Sequence, residues 1–128
     1  MTSPGSSSRI RWCGDSNDVI RGWPDAVRFH IGGDLQRLDD RREPLDFASM
    51  GKVLQGVYEL RDRDANRWYR VLYVHLEGLL YVLHCFTKTT NQTAQSDINI
   101  ARERLKALNE EIAGRRREAQ HGKGKKHR

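Results

Sequence analysis

Residues 68–86 read W-Y-R-V-L-Y-V-H-L-E-G-L-L-Y-V-L-H-C-F, two long apolar runs separated by Glu77-Gly78. Aromatic and β-branched residues dominate both runs, and a Gly-containing turn joins them, the signature of a β-hairpin. Val57 to Arg61 (V-Y-E-L-R) supplies a strand before them, across a charged loop from Asp62 to Arg67. Such short connections force antiparallel neighbours, so the three strands form a meander. Both long runs are apolar on both parities, so these strands are central and covered on both faces, at least in part.

Outward from the meander, helical spacing takes over. Val27, Ile31, Leu35 and Leu38 recur at four, four and three residues, an amphipathic helix that Pro24 can open and that Gly32-Gly33 weakens. Val19, Ile20 and Trp23 mark a shorter helix before it, with Asp15 to Asp18 as competent caps. Ile10 to Cys13 alternates like a short strand. After the polar loop Thr87 to Ser96, the positions Ile98, Ala101, Leu105, Leu108 and Ile112 mark a last helix, with Gly114 as its expected stop. The order is β-α-α-β-β-β-α. It implies an α+β fold in which helices pack on one face of a small antiparallel sheet. The expected divisions are a disordered leader over 1–8, a domain over 9–113 and a flexible basic tail over 114–128.

The net charge of +6 belongs to that tail. Residues 114–128 carry seven Lys/Arg and one Glu, whereas residues 9–113 carry 16 of each sign. A basic tail binds polyanions weakly and without sequence preference. Any nucleic-acid chemistry in the body must therefore come from local placement of charge. At 31% charged residues the chain is too polar for a membrane span. Cys13 and Cys85 are too few for a disulfide scaffold, which favours a reduced, cytoplasmic protein.

Polar residues inside apolar strands are the informative positions. Alternation puts Glu59 and Arg61 on one face of their strand. It groups Trp68, Arg70, Leu72 and Val74 on a second strand, and Leu80, Val82, His84 and Phe86 on a third. An unpaired buried arginine is prohibitively costly. Arg70 therefore either pairs with Glu59 on the neighbouring strand or lines a cleft for an anion. His84 is either a satisfied core histidine or a general acid/base, for which an ordinary imidazole pKa is suited. Arg61, Arg63, Arg67, Arg70 and Lys88 gather at one end of the meander. With Trp68, Tyr69 and Tyr73 interleaved, they make a candidate phosphate-binding concavity with surfaces for base stacking.

Other chemistries find no support. No Gly-rich loop follows the phosphate-cradling pattern. His75 and His84 lack ligand companions at zinc spacing, so neither a metal nor another cofactor is expected. Both cysteines sit in apolar contexts, as small buried hydrophobes do.

The blocks Tyr58-Glu59-Leu60-Arg61, Tyr69-Arg70-Val71 and Leu83-His84-Cys85-Phe86-Thr87-Lys88, followed by a helix from Ile98 to Leu108, resemble the phage-derived HigB-like toxins of the RelE superfamily. The resemblance covers roughly Arg9 to Leu108. It implies the toxin half of a type II toxin–antitoxin pair, a metal-independent endoribonuclease acting on mRNA at the ribosome. It also implies a helix-turn-helix antitoxin, and contact with operator DNA only through the toxin–antitoxin complex. Carried over by position, Arg61, Arg70 and Lys88 match basic positions of the family's active face, and His84 matches its histidine. Two positions depart from the pattern. Thr89 stands where many relatives carry a second lysine, and Glu59 where ribosome-dependent relatives outside this branch carry a basic residue. In the chemistry so implied, Arg61 and Arg70 hold the scissile phosphate, Lys88 adds charge and His84 moves a proton. Arginine itself is too weak a base for that last task. Two further readings use the same residues: a non-catalytic RNA- or ribosome-binding module, and a phage-derived interaction protein in which Arg70 and Glu59 merely brace the sheet.

Overall fold

A computed structural model describes residues 8–90 and 92–126. The elements are β1 (Ile10–Trp12), α1 (Ser16–Arg21), α2 (Asp25–Asp39), β2 (Phe47–Ser49), β3 (Val57–Arg63), β4 (Trp68–Leu76), β5 (Leu79–Lys88) and α3 (Gln95–Lys126). Of the leader expected over 1–8, all but Ser8 lies outside the described residues, as do the tail's last two.

The meander forms as its alternation requires, with β3–β4 and β4–β5 antiparallel. Glu77 and Gly78 both take positive φ, 54° and 76°, the turn geometry whose twist matches a tight hairpin. The complete sheet has the order β1-β5-β4-β3-β2. It is mixed rather than wholly antiparallel, because β1 pairs with β5 in parallel, Ile10 opposite Leu80. No hairpin constrains those two strands, which lie far apart in the chain, so either direction was open. The added strand β2 pairs antiparallel with β3. At three residues it is too short to show a period.

The expectation of helices on one face is corrected. α1 and α2 cover one face, where Trp23, Val27, Ile31, Leu35 and Leu38 pack on Leu60, Val71, Tyr73 and Val82. α3 covers the other, where Ile98, Ala101, Leu108 and Ile112 pack on Val57, Leu72, Val74, Tyr81 and Leu83. Strands apolar on both parities need cover on both sides, and the sheet is accordingly the middle layer. Gly32 and Gly33 do not break α2. Nor does Gly114 stop α3, which continues to Lys126. One glycine costs a helix only about 1 kcal/mol relative to alanine. The basic residues from Arg115 to Lys126 thus extend a helix, where a free tail was expected.

A β-bulge sets the phase of β5. Leu72 pairs with His84 while Tyr73 pairs with Val82, which leaves Leu83 as the extra residue. Beyond it the faces exchange parity. Leu80 and Val82 face α2, but Phe86 packs in the α3 core and His84 meets α3 residues. The expected single face of Leu80, Val82, His84 and Phe86 is therefore split in two.

Gly14 lies at φ +54°, and a Cβ there would come within 2.5 Å of the Arg104 guanidinium. That guanidinium donates to the Leu83 carbonyl (2.9 Å) and to Asp15 (3.1 Å), so it joins α3 to the bulge and to the loop after β1. Gly14→Ala is expected to lose about 1–3 kcal/mol, from the strained backbone and the displaced arginine. A thermal melt indistinguishable from wild type would show that this junction carries no stability.

Candidate nucleic-acid interface

Cross-strand register aligns three rows on the α3 side of the sheet. Glu59, Leu72 and His84 form the first, Arg61, Arg70 and Phe86 the second, and Arg63, Trp68 and Lys88 the third. Asp97 in the first turn of α3 meets the first row. The second and third rows lie further along the strands, at the end of the sheet beyond that contact. Four cations thus converge at one end and on one face, as two-residue alternation in neighbouring strands dictates.

Arg70 is 2% exposed. Its Nε lies 3.3 Å from Glu59 Oε2, and its guanidinium carbon sits 5.2 Å from the Trp68 ring centre. Burial pushes its pKa down, and the Glu59 carboxylate opposes that shift. Arg70 thus pairs with Glu59 and also lines a hollow, so the two expected alternatives occur together. Arg61 is more open and donates from Nη2 (3.1 Å) and Nε (3.3 Å) to Asp46 Oδ1, just before β2. Arg63 lies over the Trp68 ring at 4.6 Å and is exposed. These side chains, with Asp46 and Asp62, line an open hollow of about 290 Å³. Lys88 is half-buried, and its Nζ donates to Thr93 Oγ1 at 3.2 Å. The Thr93 hydroxyl lies 3.5 Å from Glu59 Oε2. Burial lowers the Lys88 pKa, and repulsion from Arg70 lowers it further. Glu59 and Asp97 oppose both effects.

Arg61, Arg63, Trp68, Arg70 and Lys88 are therefore brought together. His84 shares their face, but both of its nitrogens are engaged. Nε2 lies 2.8 Å from Asp97 Oδ1, Nδ1 lies 3.5 Å from Arg104 Nη1, and the ring stacks on Phe86 with centroids 5.0 Å apart. With Nε2–H donated to Asp97, Nδ1 accepts from Arg104, so the imidazole ties β5 to α3. His84→Ala leaves the Asp97 carboxylate without its imidazole donor and is expected to destabilise by about 1–3 kcal/mol. A melt of His84→Ala equal to that of wild type would show that the imidazole carries no such load.

Tyr69 and Tyr73 are not part of this interface. They have the opposite parity and face α2. The Tyr69 hydroxyl donates to Asp64 Oδ2 at 2.8 Å, and its ring meets Trp23 edge-on at 5.1 Å. Tyr73 is fully buried in the α2 core. Stacking of bases on these two rings at the cationic face is thereby corrected. Arg67 is exposed in the loop between β3 and β4 and does not line the hollow. The arginines also do not stand without carboxylates: Glu59 and Asp46 accompany two of them.

Sequence reasoning missed Asp46, Thr93, Asp97 and Arg104. Arg104 alone left a signal, as a charge one helical turn beyond the buried Ala101. Cys85 is buried, and burial pushes its thiol pKa upward, as for an inert core cysteine. Among the described residues, no three His, Cys, Asp or Glu side chains cluster as metal ligands, and no helix is long and apolar enough to cross a membrane.

Comparison with known proteins gives one assignment. The family model described as phage derived protein Gp49-like (DUF891) matches residues 18–106, from α1 to within α3. No curated protein and no solved structure matches the chain. The matched span takes in every residue of the cationic face and most of the chain, so the protein belongs to the phage-derived Gp49-like family, which is associated with toxin–antitoxin modules.

Proposed function

We propose that this chain is the toxin of a type II toxin–antitoxin module and a metal-independent endoribonuclease acting on mRNA at the ribosome in the cytoplasm. The observation that carries this reading is the alignment of Arg61 with Arg70, and of Arg63 and Trp68 with Lys88, on one end of one sheet face. Arginine forks match phosphate geometry, and an exposed arginine–tryptophan stack suits an unpaired base beside its phosphate. Arg61 and Arg63 hold the strand, and Trp68 takes a base.

Arg70, fixed by burial and by Glu59, faces the scissile phosphate, so that its charge is already in place when the phosphorane forms. Glu59 is the carboxylate nearest that charge and accepts the proton of the 2′-hydroxyl. The 2′-oxygen attacks phosphorus, and the bond to the 5′-oxygen breaks. Lys88, whose lowered pKa makes its ammonium a better acid, protonates the leaving oxygen. The products are a 2′,3′-cyclic phosphate and a 5′-hydroxyl, with atoms and charge balanced. A helix-turn-helix antitoxin partners the toxin in this reading, and operator DNA is touched only through their complex.

The test is cleavage of a defined mRNA by the purified chain in excess chelator, with and without ribosomes. Cyclic-phosphate ends in either arm support the ribonuclease. RNA that is bound, or translation that stalls, with every strand intact would replace it with the non-catalytic RNA-binding reading.

A further inference from the structure

A second hollow, of about 500 Å³, lies on the α2 side of the sheet, at the opposite end of the strands from the cationic rows. It opens where α2 ends at Asp39, between the 41–44 loop and the start of β5. Its wall is aromatic. Tyr58 and Tyr73 pair across strands and stack, with ring centres 6.0 Å apart and planes 27° apart. Phe47 extends the wall beyond Tyr58, and His75 meets Tyr73 edge-on. The Tyr73 ring is buried, but its hydroxyl is not closed off from solvent and has no hydrogen-bond partner among the described residues, on the wall of the hollow. Burial of the ring raises its pKa, so the hydroxyl stays protonated and offers a donor to whatever fills the hollow.

The rim is cationic. Arg41 and Arg42 are exposed and form no ion pair among the described residues. The Arg9 guanidinium rests on the main-chain oxygen of Asp39, while the Asp39 carboxylate accepts the Arg9 amide at 2.8 Å. Glu43 is the other acid at the rim. Arg41 holds a left-handed φ of 62°, uncommon for a residue with a side chain, where the loop turns back over the hollow.

We propose that this hollow binds one unstacked nucleotide unit, with the base against Tyr58, a base acceptor on the Tyr73 hydroxyl and the phosphate on the Arg41–Arg42 rim. The volume falls within the range of small-ligand pockets, and it is too small for a helix. A hydrocarbon side chain of a peptide would fill it but leave the hydroxyl unpaired, whereas a nucleobase edge supplies the acceptor. The unit is either a free nucleotide or part of an RNA strand. The proposal stands apart from the ribonuclease reading, since the hollow shares no residue with the cationic rows.

The experiment is calorimetric titration of the full chain with each of the four ribonucleoside 5′-monophosphates, and with a 2′-O-methyl hexanucleotide that cannot be cleaved. Saturable binding is expected. Tyr73→Phe should weaken it about tenfold, the effect of one lost hydrogen bond, with the melt of the unliganded protein nearly unchanged. The Arg41→Ala/Arg42→Ala double variant should weaken binding, flatten its salt dependence and leave the melt unchanged. Binding of free nucleotide identifies the soluble source, and binding of the hexanucleotide alone identifies the strand. Absence of saturable binding, or binding equal in wild type and both variants, overturns the proposal. An acidic, phenylalanine-bearing peptide that outcompetes every nucleotide overturns the ligand class.

Discussion

Arg70→Ala is expected to abolish the proposed RNA cleavage and to cost the fold about 3–5 kcal/mol, because it strands the Glu59 carboxylate in a buried site. A small domain has only about 5–15 kcal/mol in total, so the melting temperature should fall steeply. Loss of activity in that variant alone therefore says little. Arg70→Lys separates the two effects. The charge stays near Glu59, and most of the stability with it, but the planar fork that meets a phosphate is gone. Cleavage should fall by about 10²–10³-fold, the usual effect of removing one preorganised transition-state donor. Glu59→Gln should match that fall in rate while RNA still binds. If folded Arg70→Lys cleaved within about tenfold of wild type, the arginine would be a brace and nothing more.

Lys88 carries the second large effect. It is half-exposed and hydrogen-bonded to Thr93, so Lys88→Met should leave the melt nearly unchanged. Cleavage should drop by about 10²–10⁴-fold, the usual contribution of one positioned acid. The pH profile supplies the sign. As the proposed acid Lys88 works protonated, and its pKa lies below the ordinary lysine value of 10.5, so activity should decline on an alkaline limb that begins below that value. Lys88→Arg, which stays charged throughout this range, should lose rate but also lose the limb. An alkaline limb of unchanged position in Lys88→Arg would assign the proton elsewhere.

The meander was legible because alternation and a Gly turn are local signals. The Arg70–Glu59 pair was legible because a charge inside an apolar run has few ways to be satisfied. The face of His84 was not. Leu79 to Phe86 is apolar at nearly every position, so no pattern could show that Leu83 is the bulged residue, and strict alternation placed His84 with Leu80 and Val82 in place of α3. Tyr69 and Tyr73 were grouped with the cations by nearness in sequence, although their parity already set them on the other face. α3's position followed the same logic unread: β4 and β5, apolar on both parities, demanded a second covering layer. Partners supplied by loops and distant turns, such as Asp46 for Arg61 and Asp97 for His84, leave no trace in periodicity.

The length of α3 makes the molecule a ruler. Asp97 sits beside the cationic rows, and Arg116, which bonds Glu77 at the hairpin turn, is about 28 Å further along the axis. A dye or a surface tether attached near Ala119 would therefore stand well clear of any RNA on those rows. Energy transfer between such a dye and a labelled strand would report where along the protein that strand lies, without perturbing its capture.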